Sequence, residues 1–397
     1  MNNREILIID IGTSSIKSFI IKKDDKTHKV VGVGKSVTSG FMVGQVINFD
    51  DFINSIQKSI NQAQRQASIK VNECFLLLQS SKNKNHLISE SLLLNDIQIE
   101  DNHLRKLDKI INLKINSNLI HFFKSHYTID KNIVTTNPIG ITCNKISLHA
   151  IITSPNKSEL QIYKNCFSKI GLTISKYYDS SIIYFLYLKS LNLHKKNIVF
   201  IDIGFSSTKI LIVKNEKISL LHTLPVGSNY ITNDIVRMLH VNADFAETLK
   251  LTKVDLISEV SAFIEIPVWE ELGTNLKRKI EHDYLKSIVT SRIDEIFNLI
   301  LSNIPNSKFF YSYLLTGGGS LQKNIRPYIH KRFSLDVELI EPNQISGIPK
   351  LLNSPSLMGL FSFFEIYKSG LLEKFNLLKK NDSFSNKIWY KRILDLL

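Results

Sequence analysis

The feature that most limits what this chain can become is a strand-and-turn pattern that occurs twice. Residues 6–16 read Ile-Leu-Ile-Ile-Asp-Ile-Gly-Thr-Ser-Ser-Ile, and residues 198–208 read Ile-Val-Phe-Ile-Asp-Ile-Gly-Phe-Ser-Ser-Thr. In each copy an apolar run ends in Asp-Ile-Gly, at Asp10 to Gly12 and at Asp202 to Gly204, and small hydroxyl residues follow. Such a run reads as a buried strand. At its end a glycine permits φ > 0 and close backbone approach. The N–H groups and hydroxyls of the turn can wrap phosphate oxygens. The Asp can hold the water shell of Mg²⁺, an ion that keeps several waters and takes few carboxylates. Two such hairpins nearly two hundred residues apart point to two related domains facing each other across a nucleotide.

A third motif, Leu314-Leu315-Thr316-Gly317-Gly318-Gly319-Ser320, again runs from an apolar strand into glycines. Three glycines leave a surface without side chains, on which a flat base and ribose can lie. Leu321-Gln322-Lys323-Asn324-Ile325 reads as the start of the helix after it.

The order of these motifs resembles the actin, Hsp70 and sugar-kinase superfamily: first phosphate hairpin, second phosphate hairpin, adenosine-binding Gly loop. Further stretches resemble the bacterial division protein family FtsA. Pro225-Val226-Gly227-Ser228-Asn229-Tyr230-Ile231-Thr232-Asn233-Asp234-Ile235 is similar to its Pro-x-Gly-Gly-Asn-x-x-Thr-x-Asp-Ile stretch. Ala246-Glu247 with Lys250 resembles its Ala-Glu-x-x-Lys helix, whose Glu and Lys approach the adenosine. Ser39-Gly40 to Asn48, Asn137-Pro138-Ile139-Gly140 and Arg292 to Phe297 match further family segments. The resemblance implies an α/β, actin-like (ribonuclease-H-like) pair of duplicated domains flanking a nucleotide cleft, with an FtsA-type 1C subdomain insertion. It implies ATP as ligand. The expected nucleotide-binding residues are Asp10, Gly12, Thr13, Ser14, Asp202, Gly204, Ser207, Thr208, Gly227, Glu247, Lys250, Gly317, Gly318, Gly319 and Ser320. Asp10 and Asp202 are the candidates to position Mg through water and the only catalytic candidates; no general base is identifiable.

Length fits this reading, since 397 residues suit two domains of ordinary size. The longest uninterrupted apolar run, Ile182 to Leu188, is far too short to span a bilayer. The start leads straight into the first strand without a charged-then-apolar leader, so a cytoplasmic protein is expected. Cys74, Cys143 and Cys166 show neither metal spacing nor a disulfide framework. The net charge of +14 comes from dispersed Lys residues. It points to acidic partners and anionic lipid rather than to nucleic acid.

The expected divisions are residues 1–80 as the first part of subdomain 1A, 81–152 as subdomain 1C and 153–196 as the second part of 1A. Residues 197–229 begin subdomain 2A, 230–300 form 2B and 301–345 complete 2A. Residues 346–370 return to 1A as a helix, 371–384 are linker and 385–397 form an amphipathic helix. Helical spacing is expected at Asp50 to Ala67, Asp101 to Ile111, Ser158 to Gly171, Asp179 to Ser190, Ile231 to Leu239, Asp244 to Thr252 and Ser356 to Lys368.

The second hairpin departs from the family pattern Asp-x-Gly-Gly-Gly-Thr-Thr-Asp. Two of its glycines are gone, and its last acidic residue is replaced by Lys209. Facing the nucleotide, a Lys neutralises phosphate charge but cannot organise Mg²⁺ or an attacking water. ATP binding with slow or absent hydrolysis is therefore expected.

The chain ends in Lys387-Ile388-Trp389-Tyr390-Lys391-Arg392-Ile393-Leu394-Asp395-Leu396-Leu397. At 100° per residue, Trp389, Tyr390, Ile393, Leu394, Leu396 and Leu397 share an arc of roughly 160°. Lys387, Lys391, Arg392 and Asp395 take the other side, and Ile388 is the one apolar residue out of place. This pattern suits a helix lying in a membrane interface. The family resemblance implies further partners: the tail of the tubulin-like division protein FtsZ at the basic residues Lys277, Arg278 and Arg292, other divisome proteins through subdomain 1C, and self-association into filaments. It places the chain at the cytoplasmic face of the membrane at the division septum. An alternative is a related scaffold such as a pilus-assembly ATPase. A small-molecule kinase of the same superfamily is a weaker one, as no Asp base in a sugar cleft is evident.

Overall fold

The computed structural model describes residues 5–24, 27–42, 45–78, 84–114, 121–154, 157–259, 262–267, 277–304, 310–342 and 354–374. The first half opens with β1 (Glu5–Ile11), β2 (Ser15–Asp24) and β3 (Thr27–Val37), then a short pair, β4 (Phe41–Met42) and β5 (Gln45–Val46). Helix α1 (Phe49–Ala67) and β6 (Glu73–Leu78) follow. The Asn48 side chain caps α1 by accepting from the N–H groups of Asp50 and Asp51 at 3.0 and 3.2 Å. An inserted unit then comprises β7 (Lys84–Gln98), α2 (Asp101–Lys114), β8 (His121–Ile129), β9 (Ile133–Thr135) and β10 (Thr142–Ser154). The chain returns through α3 (Lys157–Lys169), β11 (Thr173–Asp179) and α4 (Ser180–Ser190).

The second half repeats the plan. It contains β12 (Ile198–Ile203), β13 (Thr208–Lys214), β14 (Lys217–Leu224), α5 (Ser228–Leu239) and α6 (Ala243–Thr252). Next come β15 (Phe263–Pro267), β16 (Lys277–Glu281), α7 (His282–Ser302), β17 (Ser312–Thr316), α8 (Ile325–Phe333) and β18 (Val337–Leu339). Helices α9 (Met358–Lys368) and α10 (Leu371–Lys374) follow.

The two halves have the same sheet. Strand order is β3-β2-β1-β6-β11 in one and β14-β13-β12-β17-β18 in the other. In both, the central strand pairs antiparallel with its hairpin partner and parallel with the next strand. The repeat extends to single residues. Asp10 lies opposite Lys17, and Asp202 lies opposite Lys209.

Helices α4 and α9 are buried between the sheets. Every residue of α4 from Ser180 to Leu188 is buried, the pattern of a helix apolar on all sides. Its core includes Phe19 of the first sheet, Phe200 of the second, and Phe361 and Phe363 of α9. On the other side of the first sheet, α1 and α3 cover Leu7, Ile9 and Leu76. Gly34 sets how closely α1 approaches, because a Cβ there would lie 1.8 Å from the Ser59 carbonyl oxygen.

The sequence places a helix directly after the glycines. Instead, Gly318 to Leu321 form a 3-10 turn, and α8 begins at Ile325. The Gln322 side-chain amide donates to the carbonyls of Lys250 and Val254, each at 3.1 Å. This anchors the loop to α6, so the chain leaves the glycines sideways before turning helical.

The inserted sheet, ordered β7-β10-β8-β9, touches the second half where β8 meets β14. His126 and His149 stack there, with ring centroids 4.4 Å apart. Thr128 Oγ1 and His149 Nε2 are hydrogen-bonded at 2.9 Å. Burial first, then the ammonium of Lys217 on β14 and the neighbouring imidazole, push His126 down to about 4. Burial and Lys217 also lower His149. An unfolded His titrates near 6.5. Between those values the unfolded chain binds more protons, so stability rises with pH and is lost on acidification from about 6.5 toward 4. Denaturant midpoints at pH 7 and pH 5.5 are expected to differ less for His126→Gln than for the native chain; an unchanged difference contradicts this origin.

Candidate functional site

The two hairpins face each other across one cleft. Their turns are alike: the Gly12 N–H donates to the Ser15 carbonyl at 3.2 Å, and the Gly204 N–H donates to that of Ser207 at 2.9 Å. The tips meet where Thr13 Oγ1 and Ser206 Oγ lie 2.7 Å apart. Gly12, Thr13 and Ser14 line the cleft on one side, and Gly204, Phe205, Ser206 and Ser207 on the other. Thr208 does not line it; its hydroxyl donates to the Val226 carbonyl at 2.8 Å.

Lys17 and Asp202, one from each Asp–Lys row, line the cleft. Lys17 Nζ is 3.5 Å from Asp10 Oδ2 and donates to the Ser356 carbonyl at 2.7 Å. Asp10 is fully buried beneath the lining residues, whereas Asp202 is among them. The Tyr184 hydroxyl, reaching up from α4, donates to Asp202 Oδ2 at 2.8 Å. Burial and the carboxylates of Asp202 and Asp10 hold this phenol well above its ordinary range, so it stays a proton donor. Lys209 is buried, and its ammonium donates to Ser180 Oγ at 2.6 Å. It is tied to the connecting helix and does not line the cleft.

Among the described residues, no three His, Cys, Asp or Glu side chains group as a metal site. Asp10 already faces an ammonium and Asp202 a phenol. This donor set suits Mg²⁺ held through its water shell rather than by direct carboxylate ligation.

The opposite wall is the Gly loop. Gly317 has φ +90°, and a Cβ there would sit 2.3 Å from Asp202 Oδ1 and 2.4 Å from the Ile203 carbonyl oxygen. At Gly319 a Cβ would lie 2.3 Å from Ile203 Cγ2. Of the three glycines Gly318 is the least constrained, because a Cβ there meets only Ser356 Cβ at 4.0 Å. Ser320 is turned inward and donates to the Gly317 carbonyl at 2.8 Å.

Glu247 and Lys250 come from α6 and line the same cleft. Lys250 Nζ donates to Glu247 Oε2 at 2.6 Å and to Thr232 Oγ1 at 2.9 Å. Burial lowers the Lys250 pKa, and Glu247 opposes that shift. Gly227 lies behind the second hairpin. A Cβ there would be 2.5 Å from the Phe205 carbonyl oxygen. The close fit lets the N–H groups of Ser228 and Asn229 donate to Gly204 and Phe205 at 2.9 and 2.8 Å.

Sequence reasoning missed Lys17, Lys35, Tyr184 and Ser356 among the lining residues. Lys17 had a signal: it follows Asp10 by the same seven residues that separate Lys209 from Asp202. Tyr184 had none inside its apolar helix.

Arg292, Arg278 and Lys277, the basic residues expected to meet the FtsZ tail, each already have a partner. Arg292 binds both oxygens of Asp234 at 2.6 and 2.9 Å and Glu295 at 2.6 Å. Arg278 donates to the Leu239 carbonyl. Lys277 is 3.4 Å from Glu265. Charge reversal at Arg292 would therefore disturb the α5–α7 packing as well as any surface. Trp389, Tyr390, Ile393, Leu394, Leu396 and Leu397 lie outside the described residues. No helix among the described residues is long and apolar enough to cross a membrane.

Known proteins support the family resemblance. The model of the family described as cell division protein FtsA matches residues 199–360. The FtsA of Neisseria meningitidis is 25% identical over 89% of this chain and 87% of its own length. That of Borreliella burgdorferi is 24% identical over 96% of this chain and 95% of its own. The chain is FtsA-like along almost its whole length. Solved structures agree on the fold. The PilM–PilN type IV pilus biogenesis complex aligns with a TM-score of 0.63 at 12% identity, covering 91% of this chain and 98% of that one. MreB5 of Spiroplasma citri bound to ADP aligns with a TM-score of 0.55 at 13% identity, covering 94% and 98%. The fold is actin-like, with the FtsA-like chain's inserted sheet lying between β6 and α3.

Proposed function

We propose that this FtsA-like chain is an actin-like cell division protein that binds ATP in the cleft, polymerises, and tethers the FtsZ ring to the inner face of the cytoplasmic membrane at the septum. The single observation that carries nucleotide binding is the pair of matching hairpins opposed across a cleft walled by Gly317 to Gly319. The bound nucleotides named for the Spiroplasma MreB5 structures, ADP and AMPPNP, support the same use of the fold. Thr13, Ser14 and Ser207 with the turn backbones bind phosphates. Gly317 to Gly319, Glu247 and Lys250 border the adenosine. Asp202, which lines the cleft, and Asp10, buried beneath the lining and paired with Lys17, would hold the water shell of Mg²⁺. That ion, when bound, supplies charge neutralisation at the phosphates.

Hydrolysis is slow or absent in this reading. Lys209 occupies the position of the expected acid and is committed to Ser180, so it organises no water. The inserted sheet serves as subdomain 1C and receives other divisome proteins. The second half's basic residues face the acidic FtsZ tail. Of these Lys277 has the weakest internal tie, a 3.4 Å contact between exposed groups.

Membrane attachment rests on the C-terminal sequence. One short interfacial helix binds weakly, and polymerisation multiplies it, since later helices bind intramolecularly. Vesicles containing anionic lipid are expected to co-float with the full chain. Deleting residues 385–397, or changing Trp389 and Ile393 to Glu, releases it while ATP binding persists. If the truncated chain still floats, the tail is no anchor, and a pilus-type scaffold becomes the better reading.

A further inference from the structure

Three cations line the cleft: Lys17, Lys35 and Lys250. Two are already engaged, Lys17 by Asp10 and the Ser356 carbonyl, and Lys250 by Glu247 and Thr232. The ammonium of Lys35 has no hydrogen bond or ion pair among the described residues. Its place is fixed by register. Asp10, Lys17 and Lys35 form one row across β1, β2 and β3, on the face away from α1, where Gly34 packs on Ser59. Directly opposed residues of neighbouring strands stand about 5 Å apart, and like charges there repel. Burial and the charge of Lys17 lower the Lys35 pKa. A fold that sets two Lys residues on neighbouring strands in the lining of one cleft holds an arrangement that an anion stabilises. Lys17 Nζ adjoins Gly12 of the first hairpin, 3.9 Å from where a Cβ would stand. The equivalent row in the second half is Asp202, Lys209 and Thr223, with no second cation. Glu159 of α3, which also lines the cleft, accepts from Tyr163 at 2.8 Å.

We propose that Lys35, with Lys17 beside it, forms a subsite for the terminal phosphate and makes this chain prefer a nucleoside triphosphate over the diphosphate. The inference rests on the nucleotide reading of the cleft and adds what selects the ligand. One more phosphate adds charge at the end of the chain of phosphates, where an uncommitted ammonium of the lining meets it. The diphosphate is held by the hairpin turns and Lys17 alone.

The test is calorimetry on the full chain, native, Lys35→Gln and Lys35→Arg, with three probes: a hydrolysis-resistant imido analogue of ATP, ADP, and inorganic tripolyphosphate. Lys35→Gln is expected to weaken the analogue and tripolyphosphate about tenfold, which is about 1.4 kcal/mol, and ADP less than about twofold. Lys35→Arg keeps the native preference. If the native chain binds both nucleotides and Lys35→Gln changes neither, or both equally, the subsite is overturned and the nucleotide reading stands. If it binds tripolyphosphate in a Lys35-dependent way but neither nucleotide, the nucleotide reading falls and the anion subsite stands. Binding of none of the three overturns both.

Discussion

Gly317→Val is expected to abolish nucleotide binding and to lower stability by more than about 3 kcal/mol. The backbone there has φ +90°, which a β-branched residue resists at a cost of about 1–3 kcal/mol. Space adds a second term. The first carbon of any side chain would fall 2.3 Å from a carboxylate oxygen of Asp202 and 2.4 Å from the Ile203 carbonyl oxygen. Neither is the end of a flexible chain; one is backbone, and the other is fixed by Tyr184. The second hairpin must therefore move away from the Gly loop, which separates the two walls of the cleft. Gly318→Ala is the matched control, expected to remain near native stability because its Cβ meets only Ser356 Cβ at 4.0 Å. Denaturant unfolding and calorimetry on both variants check this. A native midpoint for Gly317→Val would contradict it.

Lys17→Met should cost about 3 kcal/mol and weaken nucleotide binding strongly. The side chain of Asp10 is 1% exposed and that of Lys17 9%. Removing one member of a buried pair strands the other's charge, which typically costs 3–5 kcal/mol. Pairing the change with Asp10→Asn separates the two consequences. The double variant should regain much of the stability, through a coupling of about 1–2 kcal/mol, and still bind nucleotide poorly because the ammonium at the first hairpin is gone. Additive losses in stability would mean that the 3.5 Å contact carries little of the folding energy.

Much of this fold is written locally. The helices at 49–67, 101–114, 180–190 and 358–368 fall where the sequence places helical segments, at 50–67, 101–111, 179–190 and 356–368. The duplicated hairpins are legible because a strand, a tight turn and small hydroxyls leave few alternatives. What the local pattern does not contain is the partner of each side chain. Thr208 resembles a phosphate ligand in sequence and is consumed by the Val226 carbonyl. Gly227 serves the second hairpin from behind. Arg292 looks like a free surface charge and is held by Asp234, a residue 58 positions away. Lys209 presents the clearest case. Alternation along a strand gives two faces, and only the packing of α4 decides that its ammonium ends on Ser180. The turn after the Gly loop is hidden for a similar reason, since Gln322 binds the carbonyls of Lys250 in α6 and of Val254 just after it, which sequence proximity cannot suggest.

The helix that follows Ser354 has a consequence for the order in which this protein can be made. Phe361, Phe363 and Ile366 share one core with Ile8, Phe19 and Leu77 of the first sheet. Lys17, near the start, binds the Ser356 carbonyl 339 positions later. As the chain leaves the ribosome, its first sheet is therefore built long before the residues that cover one of its faces exist. That face has only α4 against it, without α9, while the second half is synthesised, a period when exposed apolar strands are open to wrong pairing. The first half cannot be a freestanding product, and cutting the gene between the two repeats would give a fragment with an unfinished core. Completion arrives late and all at once, when α9 slides in beside α4. The nucleotide cleft, whose floor includes Ser356, comes into being at that same moment.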